Sequence, residues 1–321
     1  MAPFRLGLAG AGRMGRTHLR AISGSEAVAI VAVAEPSREA RESLGLPVAG
    51  LHTDLTGMLA AGGIDGVLIA APSALHVEGV AQVAAARLPI LCEKPCGVTA
   101  DEARRAAALA DAAGVRLQVA YWRRFVPALK RLKDRIAGGE FGDLYLASCF
   151  QWDETPPPAA FRASGGGAFV DMGVHEFDQL RWLTGQEIVS VRVASSTSVF
   201  DARVEVDPDA VQALCDLSGG ANGLVSLGRR FPPGDACWVQ VFGTQAFEDC
   251  RFFWPPESEA VFTAALRAQA EDFAAAVQGA PSEGATASDA VAALNAAEQA
   301  TLDLQRSLTT RPETISDRGA R

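Results

Sequence analysis

The sequence predicts an α/β protein with a doubly wound parallel sheet in its N-terminal part, followed by an α+β domain with a large, open, mostly antiparallel sheet. Up to Tyr121, nearly continuous apolar runs alternate with helical patterns, which is typical of a parallel sheet covered on both faces. After Tyr121, shorter alternating runs recur between turn signals, which is typical of antiparallel strands. The 321 residues are enough for about two domains.

The first part contains five apolar runs, and helical patterns lie between them. A glycine-rich turn separates the first run from the helix predicted over Arg13–Ser23, and a second helix is predicted over Thr99–Ala113. The predicted strands are Phe4–Ala9, Ala27–Ala34, Gly66–Ala71, Leu88–Cys92 and Val115–Tyr121. This pattern predicts a nucleotide-binding domain over residues 1–121.

The second part has a different pattern. Its predicted strands are Leu144–Trp152, Val189–Val199, Val211–Leu217, Leu224–Arg230 and Trp238–Phe242. Its predicted helices are Pro127–Ile136, Val261–Gln278 and Ser288–Ser307. Residues 153–167 contain three consecutive prolines and three consecutive glycines, so we expect a long loop there. We predict a second domain over residues 122–308 and a polar, flexible tail over 309–321.

Charge and cysteine content restrict the partners and the compartment. The 29 basic and 38 acidic residues give a net charge of −9, which repels nucleic acids and anionic membranes. The six cysteines form no CxxC pair and lie mostly in apolar runs, so we expect free thiols in a reducing compartment and no metal site. No apolar run approaches the ~18 residues of a membrane span. The sequence therefore predicts a cytoplasmic protein without nucleic acid or membrane partners.

The glycine-rich turn has the spacing of a dinucleotide-binding site. Gly10, Gly12 and Gly15 form GxGxxG between a strand and a helix, where backbone N–H groups face a pyrophosphate. Glu35 ends the next strand, 20 residues after Gly15, where a carboxylate can bind both ribose hydroxyls. That carboxylate favours NAD, although Arg38 nearby leaves NADP open.

Lys94 is a candidate for chemistry. It follows a buried strand in the segment LCEKP, at the edge of an open α/β sheet where ligands bind. A simple ion pair with Glu93 is the structural alternative. The chain has only two other lysines, Lys130 and Lys133, and both lie on one basic helix. A partly desolvated lysine at that edge favours a role in the reaction.

The segment FVDMGVHEFDQLRWLTG contains the other candidates. In an α-helix, Asp171 and His175 would lie one turn apart on the same face, together with Asp178 or Gln179. The segment does not match the zinc motif HExxH, because Gln179 is the residue four positions after His175. A histidine in this setting, with a pKa near ~6.5, suits a general base.

These motifs together resemble the Gfo/Idh/MocA oxidoreductase family. The resemblance runs from Phe4 to Ser307 and rests on GLAGAGRMGRTHLRAI, AAPSALH, CEKP, YWRRFVP and GGGAFVDMGVHEFDQLRWLTG. It implies an N-terminal Rossmann domain and, over residues 122–308, a substrate-binding and oligomerisation domain whose open sheet commonly mediates formation of a homodimer or homotetramer. It also implies oxidation or reduction of a secondary alcohol carbon of an inositol or a sugar with NAD(P).

The resemblance assigns roles to individual residues. It makes Lys94, Asp171 and His175 the catalytic trio, with His175 as the base. Cofactor contacts are expected from Gly10, Gly12, Arg13, Met14, Gly15, Glu35, Arg38, Ala71, Pro72, His76, Glu93 and Lys94. Substrate contacts are expected from Lys94, Arg124, Trp152, Arg162, Asp171 and His175, whereas Arg123 is expected to be structural.

The leading hypothesis is an NAD-dependent inositol dehydrogenase, because HEFDQLRWL resembles the corresponding block of those enzymes. A pyranose dehydrogenase or a keto-sugar reductase would use the same residues. An NAD-binding regulator without activity is disfavoured because Lys94 and His175 are both present. A Schiff-base enzyme using Lys94 is also disfavoured, since the sequence shows no adjacent cation that would lower the lysine pKa.

Overall fold

The computed structural model describes residues 2–45, 50–158, 162, 165–197 and 207–310. Within them, the first sheet has six parallel strands and one antiparallel edge strand, in the order β3-β2-β1-β4-β5-β6-β13. The strands are β1 (Phe4–Ala9), β2 (Val28–Ala34), β3 (Leu51–His52), β4 (Gly66–Ile69), β5 (Ile90–Glu93), β6 (Leu117–Ala120) and β13 (Ala285–Thr286). The predicted parallel sheet is confirmed. Strand order reverses beside β1, which is where such sheets bind nucleotides.

Helices connect the parallel strands. They are α1 (Arg13–Ile22), α2 (Arg38–Glu42), α3 (Leu55–Ala61), α4 (His76–Ala85) and α5 (Ala100–Ala113). The sequence supplies side-chain caps at three of their N-termini: the Ser37 hydroxyl accepts from the N–H of Ala40, the Asp54 carboxylate from that of Gly57, and the Thr99 hydroxyl from that of Glu102. Such caps satisfy N–H groups that have no partner inside the helix.

The second sheet has six strands in the described residues, in the order β12-β11-β7-β10-β9-β8. They are β7 (Leu144–Trp152), β8 (Ile188–Thr197), β9 (Ala210–Leu217), β10 (Asn222–Gly228), β11 (Ala236–Gly243) and β12 (Phe247–Phe253). Only β7 and β10 pair in parallel there, so the expected mostly antiparallel sheet is confirmed. The loop predicted over 153–167 contains no strand among its described residues.

The remaining helices are α6 (Pro127–Ala137), α7 (Val174–Thr184), α8 (Ser258–Val277) and α9 (Ala287–Thr310). Helices α7 and α9 pack on the second sheet, while α8 packs on α1 and α9 also packs on α5. Strand β13 joins the first sheet beside β6. The C-terminal segment therefore contacts both sheets. The division at residues 121 and 308 stays a prediction.

The expected tail only partly falls within the described residues. Thr309 and Thr310 belong to the last helix, whereas 311–321 lie outside the described residues. All six cysteines lie in the described part, and all are free thiols, five of them buried. No helix in that part of the chain combines the length and the hydropathy needed to cross a membrane.

Candidate active site

The glycine-rich turn has little room for side chains at two of its three glycines. Gly10 has a φ of +97°, and a Cβ there would lie 2.8 Å from the carbonyl oxygen of Ala70. A Cβ on Gly15 would lie 2.1 Å from the carbonyl oxygen of Gly10. At Gly12, by contrast, a Cβ would meet no described atom within 4 Å. The turn is thus tightly packed at Gly10 and Gly15 and open beside Gly12, which leaves space for the pyrophosphate of a dinucleotide.

The helix that follows adds N–H groups to this candidate pyrophosphate site. Arg13 and Met14 are the first residues of α1, and Gly12 caps it without a side chain. The first-turn N–H groups of a helix have no acceptor within the helix, and the helix dipole favours an anion there. These residues therefore fit the pyrophosphate of a dinucleotide.

Glu35 is held directly against the glycine-rich turn. Its Oε2 accepts a hydrogen bond from the N–H of Ala11 at 2.7 Å, and its Oε1 accepts one from the N–H of Ser37 at 2.9 Å. Arg38, in contrast, is exposed and forms an ion pair with Glu42 at 2.7 Å. Arg41, which the sequence analysis did not single out, donates to the carbonyl oxygen of Pro36 at 2.9 Å.

His76 connects two loops at the same edge of the sheet. Its Nε2 lies 2.8 Å from the carbonyl oxygen of Ala71, and its Nδ1 lies 2.8 Å from that of Pro95. Ala71 and Pro72 follow strand β4, whereas Pro95 follows strand β5. This placement agrees with a structural role on the cofactor side.

Glu93, the last residue of β5, is paired with His18 rather than with Lys94. Its Oε1 lies 2.6 Å from Nε2 of the fully buried His18. Burial raises the pKa of Glu93, but the hydrogen bond and charge of His18 outweigh burial, so the pKa is lowered overall. The Lys94–Glu93 ion pair considered from sequence is not formed, which leaves the Lys94 ammonium to the site.

Lys94, Asp171 and His175 lie together. The Nζ of Lys94 donates to the backbone carbonyl of Asp171 at 2.6 Å and lies 3.8 Å from its Oδ1. The charge of Lys94 also lowers the pKa of His175, so that side chain is within electrostatic reach. Residues distant in sequence thus meet where the carboxyl end of β5 faces the turn that precedes α7.

His175 is almost completely buried. Its ring packs edge-on against Tyr121 at 5.7 Å and against Trp122 at 6.4 Å. Burial lowers its pKa well below 6.5, and the positive charges of Lys94 and Arg123 lower it further. The expected pKa near the ordinary value is therefore wrong. The imidazole is neutral at pH 7, and its Nδ1 has no hydrogen-bond partner among the described residues.

The backbone at Asp171 also differs from the expectation. Phe169–Gly173 forms a π-helical turn, and the α-helix begins only at Val174. The continuous α-helix that would have put Asp171 one turn before His175 is therefore wrong. Wide turns of this kind are rare and often occur at functional sites.

Three predicted substrate residues have protein partners. Arg124 forms an ion pair with Asp178 at 2.5 Å and a weaker one with Asp289 at 3.3 Å, and it is buried. The indole Nε1 of Trp152 donates to the hydroxyl of Ser226 at 3.3 Å. Arg162 forms a buried ion pair with Asp207. Their contact with substrate stays a prediction.

Sequence reasoning missed Arg229, which lies just after β10. Its guanidinium contacts Asp171 at 2.9 Å, Asp207 at 2.9 Å and Asp153 at 3.2 Å. A sequence signal was available, since Arg229 follows an apolar strand directly, as Lys94 does. Its partners come from three separate segments, however, and no spacing rule relates them. Among the described residues, no group of three His, Cys, Asp or Glu side chains could hold a metal ion.

These features define a class of protein. A glycine-rich turn at the strand-order reversal, with a carboxylate fixed at the end of β2, fits a dinucleotide cofactor. The Lys94, Asp171 and His175 cluster supplies an acid–base group and a positive charge beside it. Together they define an NAD-binding oxidoreductase.

The chain belongs to the GFO/IDH/MocA oxidoreductase family. Residues 4–121 match the family model described as oxidoreductase family, NAD-binding Rossmann fold. Residues 129–247 match the model of the GFO/IDH/MocA C-terminal domain. The resemblance inferred from motifs is confirmed.

Individual relatives agree with this assignment. The chain is 63% identical to the rhizopine catabolism protein MocA of Rhizobium meliloti, over 96% of this chain and 97% of that protein. It is 30% identical to inositol 2-dehydrogenase of Rhizobium meliloti strain 1021, over 75% and 73% of the two chains. The structure of scyllo-inositol dehydrogenase from Lactobacillus casei with NAD(H) and scyllo-inositol matches with a TM-score of 0.81 at 22% identity, over 95% and 97%. At that identity the match shows the fold.

Proposed function

We propose that this chain is an NAD-dependent dehydrogenase that oxidises a secondary hydroxyl group of a cyclic polyol or sugar, with an inositol as the first candidate. The observation that carries the proposal is the meeting of Lys94, Asp171 and the neutral His175 beside the dinucleotide turn. The relative named inositol 2-dehydrogenase supports an inositol. The relative named for rhizopine catabolism makes a rhizopine-derived compound the second candidate.

The site residues suit removal of a proton and a hydride from one carbinol group. His175 is neutral at pH 7 and accepts the hydroxyl proton. Lys94 donates a hydrogen bond to the same oxygen and stabilises negative charge that develops there. Asp171 orients Lys94 through its backbone carbonyl. NAD, when bound, supplies the hydride acceptor.

Cofactor binding is assigned to residues whose placement fits a dinucleotide. The glycine-rich turn and the start of α1 would hold the pyrophosphate, and Glu35 would bind the adenosine ribose. Ala71, Pro72 and His76 lie at the end of β4, and Glu93 and Lys94 at the end of β5. These two loops flank the position expected for the nicotinamide half.

Two further proposals concern the setting of the enzyme. We expect a homodimer or homotetramer formed through the second sheet, whose outer face carries half-exposed aromatic side chains such as Phe150 and Trp238. The free thiols and the net charge of −9 favour the cytoplasm and a small-molecule substrate.

A substrate screen tests the function. NADH formation is measured with inositols, aldoses, their acids and rhizopine-derived compounds. We expect turnover with a cyclic polyol, and a loss of at least ~100-fold in Lys94→Ala and His175→Ala, because each removes a positioned charge or base. NADH binding, followed by fluorescence, should persist in both variants. Turnover that survives either substitution would remove that residue from the mechanism, and NAD binding without turnover on any compound would favour a regulator.

A further inference from the structure

Arg229 is a buried cation in direct contact with the site, and the proposed reaction does not yet use it. Only 2% of the residue is exposed, and its backbone N–H donates to the carbonyl oxygen of Asp209 at 2.7 Å. Its Nη2 donates to Oδ2 of Asp171 at 2.9 Å and to Oδ1 of Asp207 at 2.9 Å. Its Nη1 donates to Oδ2 of Asp153 at 3.2 Å.

Among the described residues, the charged groups around Arg229 include three cations and three carboxylates. Arg162 forms a buried ion pair with the same Asp207. The three cations Lys94, Arg162 and Arg229 thus face the three carboxylates Asp153, Asp171 and Asp207. Buried carboxylates are costly unless they are paired and hydrogen-bonded. The forked guanidinium of Arg229 meets three of them at once, which an ammonium cannot do with the same geometry.

The two carboxylate oxygens of Asp171 make different contacts with the neighbouring cations Arg229 and Lys94. Oδ2 accepts a 2.9 Å hydrogen bond from Arg229. Oδ1 lies 3.8 Å from the Nζ of Lys94, too far for a hydrogen bond, and Nζ instead donates to the Asp171 carbonyl at 2.6 Å. The Lys94 ammonium therefore keeps donors that are not committed to the carboxylate.

We propose that Arg229 is a positioning residue that holds the Asp171 carboxylate back from Lys94 and so keeps the Lys94 ammonium available to the substrate oxygen. Asp153 and Asp207 anchor Arg229 from two other segments, and Arg162 anchors Asp207. Without Arg229, the Asp171 carboxylate pairs with Lys94, the other cation within 4 Å of it among the described residues. This role rests on the proposed function for its catalytic consequence, but not for its structural one.

The scarcity of lysine allows a direct test without substrate. The protein is treated with an N-hydroxysuccinimide ester of acetic acid, and acetylation of each lysine is timed by mass spectrometry. Exposed Lys130 is the internal reference, and the Lys94 side chain is 21% exposed. In Arg229→Gln we expect the rate at Lys94 relative to Lys130 to fall at least ~3-fold, because an amino group held against a carboxylate is a poorer nucleophile toward the ester. Local unfolding would instead raise that rate.

Two further variants complete the comparison. Arg230→Gln removes the same charge at the next, exposed residue and should leave the Lys94 rate unchanged. Arg229→Lys retains a positive charge and should restore part of the wild-type rate. An Arg229→Gln rate equal to or above wild type, relative to Lys130, overturns the proposal.

Kinetics then connect the position of Lys94 to the reaction. With the best substrate of the screen, Arg229→Gln should lower kcat at least ~10-fold with little change in the KM for NAD, since the loss concerns the transition state. An unchanged kcat also overturns the proposal. A wild type that oxidises none of the polyols contradicts the proposed function alone, because the acetylation experiment still decides whether Arg229 positions Asp171.

Discussion

His175, the proposed base, shows how the surroundings of a side chain select its protonation form. Burial against Tyr121 and Trp122 disfavours the imidazolium, and two nearby cations disfavour it further. Arg123 is itself paired with the fully buried Glu176, yet its charge still acts on the ring. The proposed base is thus kept unprotonated by burial and by nearby positive charge.

The pH dependence of the reaction follows from this environment. A base must be unprotonated, and a pKa below 6.5 extends the unprotonated form to lower pH. We therefore expect kcat/KM, which reports the free enzyme, to be constant around neutrality. As the pH is lowered further, it should fall with a midpoint below pH 6.5. Measurement across the acidic range in wild type decides it. A midpoint at or above 6.5 would mean that the imidazole is better solvated than this arrangement implies.

Cofactor choice is also decided by individual residues. Glu35 is fixed by two backbone N–H groups beside the glycine-rich turn, whereas Arg38 is exposed and forms an ion pair with Glu42. Because exposed ion pairs are weak, repulsion of a 2′-phosphate by Glu35 should dominate. We expect wild type to prefer NAD, and Glu35→Ser to shift the kcat/KM ratio toward NADP by ~10-fold, or about 1.4 kcal/mol.

Arg38→Ala is the matched control for that experiment, since it removes the other charge near the ribose and should change the ratio little. Steady-state kinetics with both cofactors on the three proteins gives the answer. A wild type that prefers NADP would show that Arg38 or Arg41 turns toward the phosphate.

At the scale of elements, two glycines of the N-terminal strand–turn–helix unit differ in what they serve: one serves folding and the other is proposed to serve binding. Gly10 has a φ of +97°, and a Cβ there would meet the backbone of Ala70. Gly12 has a φ of −67°, and a Cβ there would meet open space. The first glycine is needed by the protein itself, whereas we propose that the second is needed by the ligand.

Alanine substitutions should separate these two requirements. We expect Gly10→Ala to lower the free energy of unfolding by about 2 kcal/mol or more, through left-handed strain and the backbone clash. Gly12→Ala should unfold at the wild-type temperature but weaken NADH binding by ~10-fold or more, because the methyl group occupies the pyrophosphate position. Thermal melting and fluorescence titration of both variants measure the two effects. Equal loss of stability in both would contradict the separation.

The elements that could be predicted from sequence are those whose own residues form a clear apolar run bounded by turn signals. Strands β1 and β7 match their predicted limits, since each is a run bounded by turn signals. Strand β12 was missed because Phe247–Phe253 mixes charged and aromatic residues, as an edge strand with one exposed side does. Strand β13 has two residues, too few for any periodicity. The π-helical turn at Phe169–Gly173 was missed because its sequence is compatible with an α-helix.

The same division applies to the site. Lys94, Asp171 and His175 could be found because each lies in a local motif with chemical meaning. Arg229 had only its place directly after a strand as a signal, since its contacts with Asp153 and Asp171 join residues 76 and 58 positions apart. The pKa of His175 likewise depends on packing against residues of another segment. Sequence motifs identified the groups proposed to react, whereas the charges that adjust them depend on the tertiary structure.

At the scale of the whole molecule, the second sheet has one covered and one open face. On β7 and β11, Ala147, Cys149 and Val239 are buried, while the alternate residues Phe150 and Trp238 are half-exposed and stack at 4.5 Å. Helices α7 and α9 pack on this sheet. An open face with large apolar side chains in register is typical of an interface.

Leu214 provides a direct probe of this face. It lies on β9, pairs in register with Leu224 of β10, and is 41% exposed. If two copies meet through the open face, Leu214→Glu places a charge in an apolar contact, and the oligomer should dissociate. Size-exclusion chromatography with light scattering should give the mass of a dimer or tetramer for wild type and a smaller mass for the variant.

The matched control is Leu302→Glu, which makes the same exchange at a leucine of α9 that is 52% exposed. It should leave the mass unchanged, because that side chain lies on a helix and not on the open sheet face. A monomeric wild type would show that the apolar face is tolerated in solvent. A mass lowered by Leu302→Glu but not by Leu214→Glu would place the interface on the helical side. The predicted pattern, loss of assembly with Leu214→Glu alone, requires the sheet face itself, because both variants change the net charge equally.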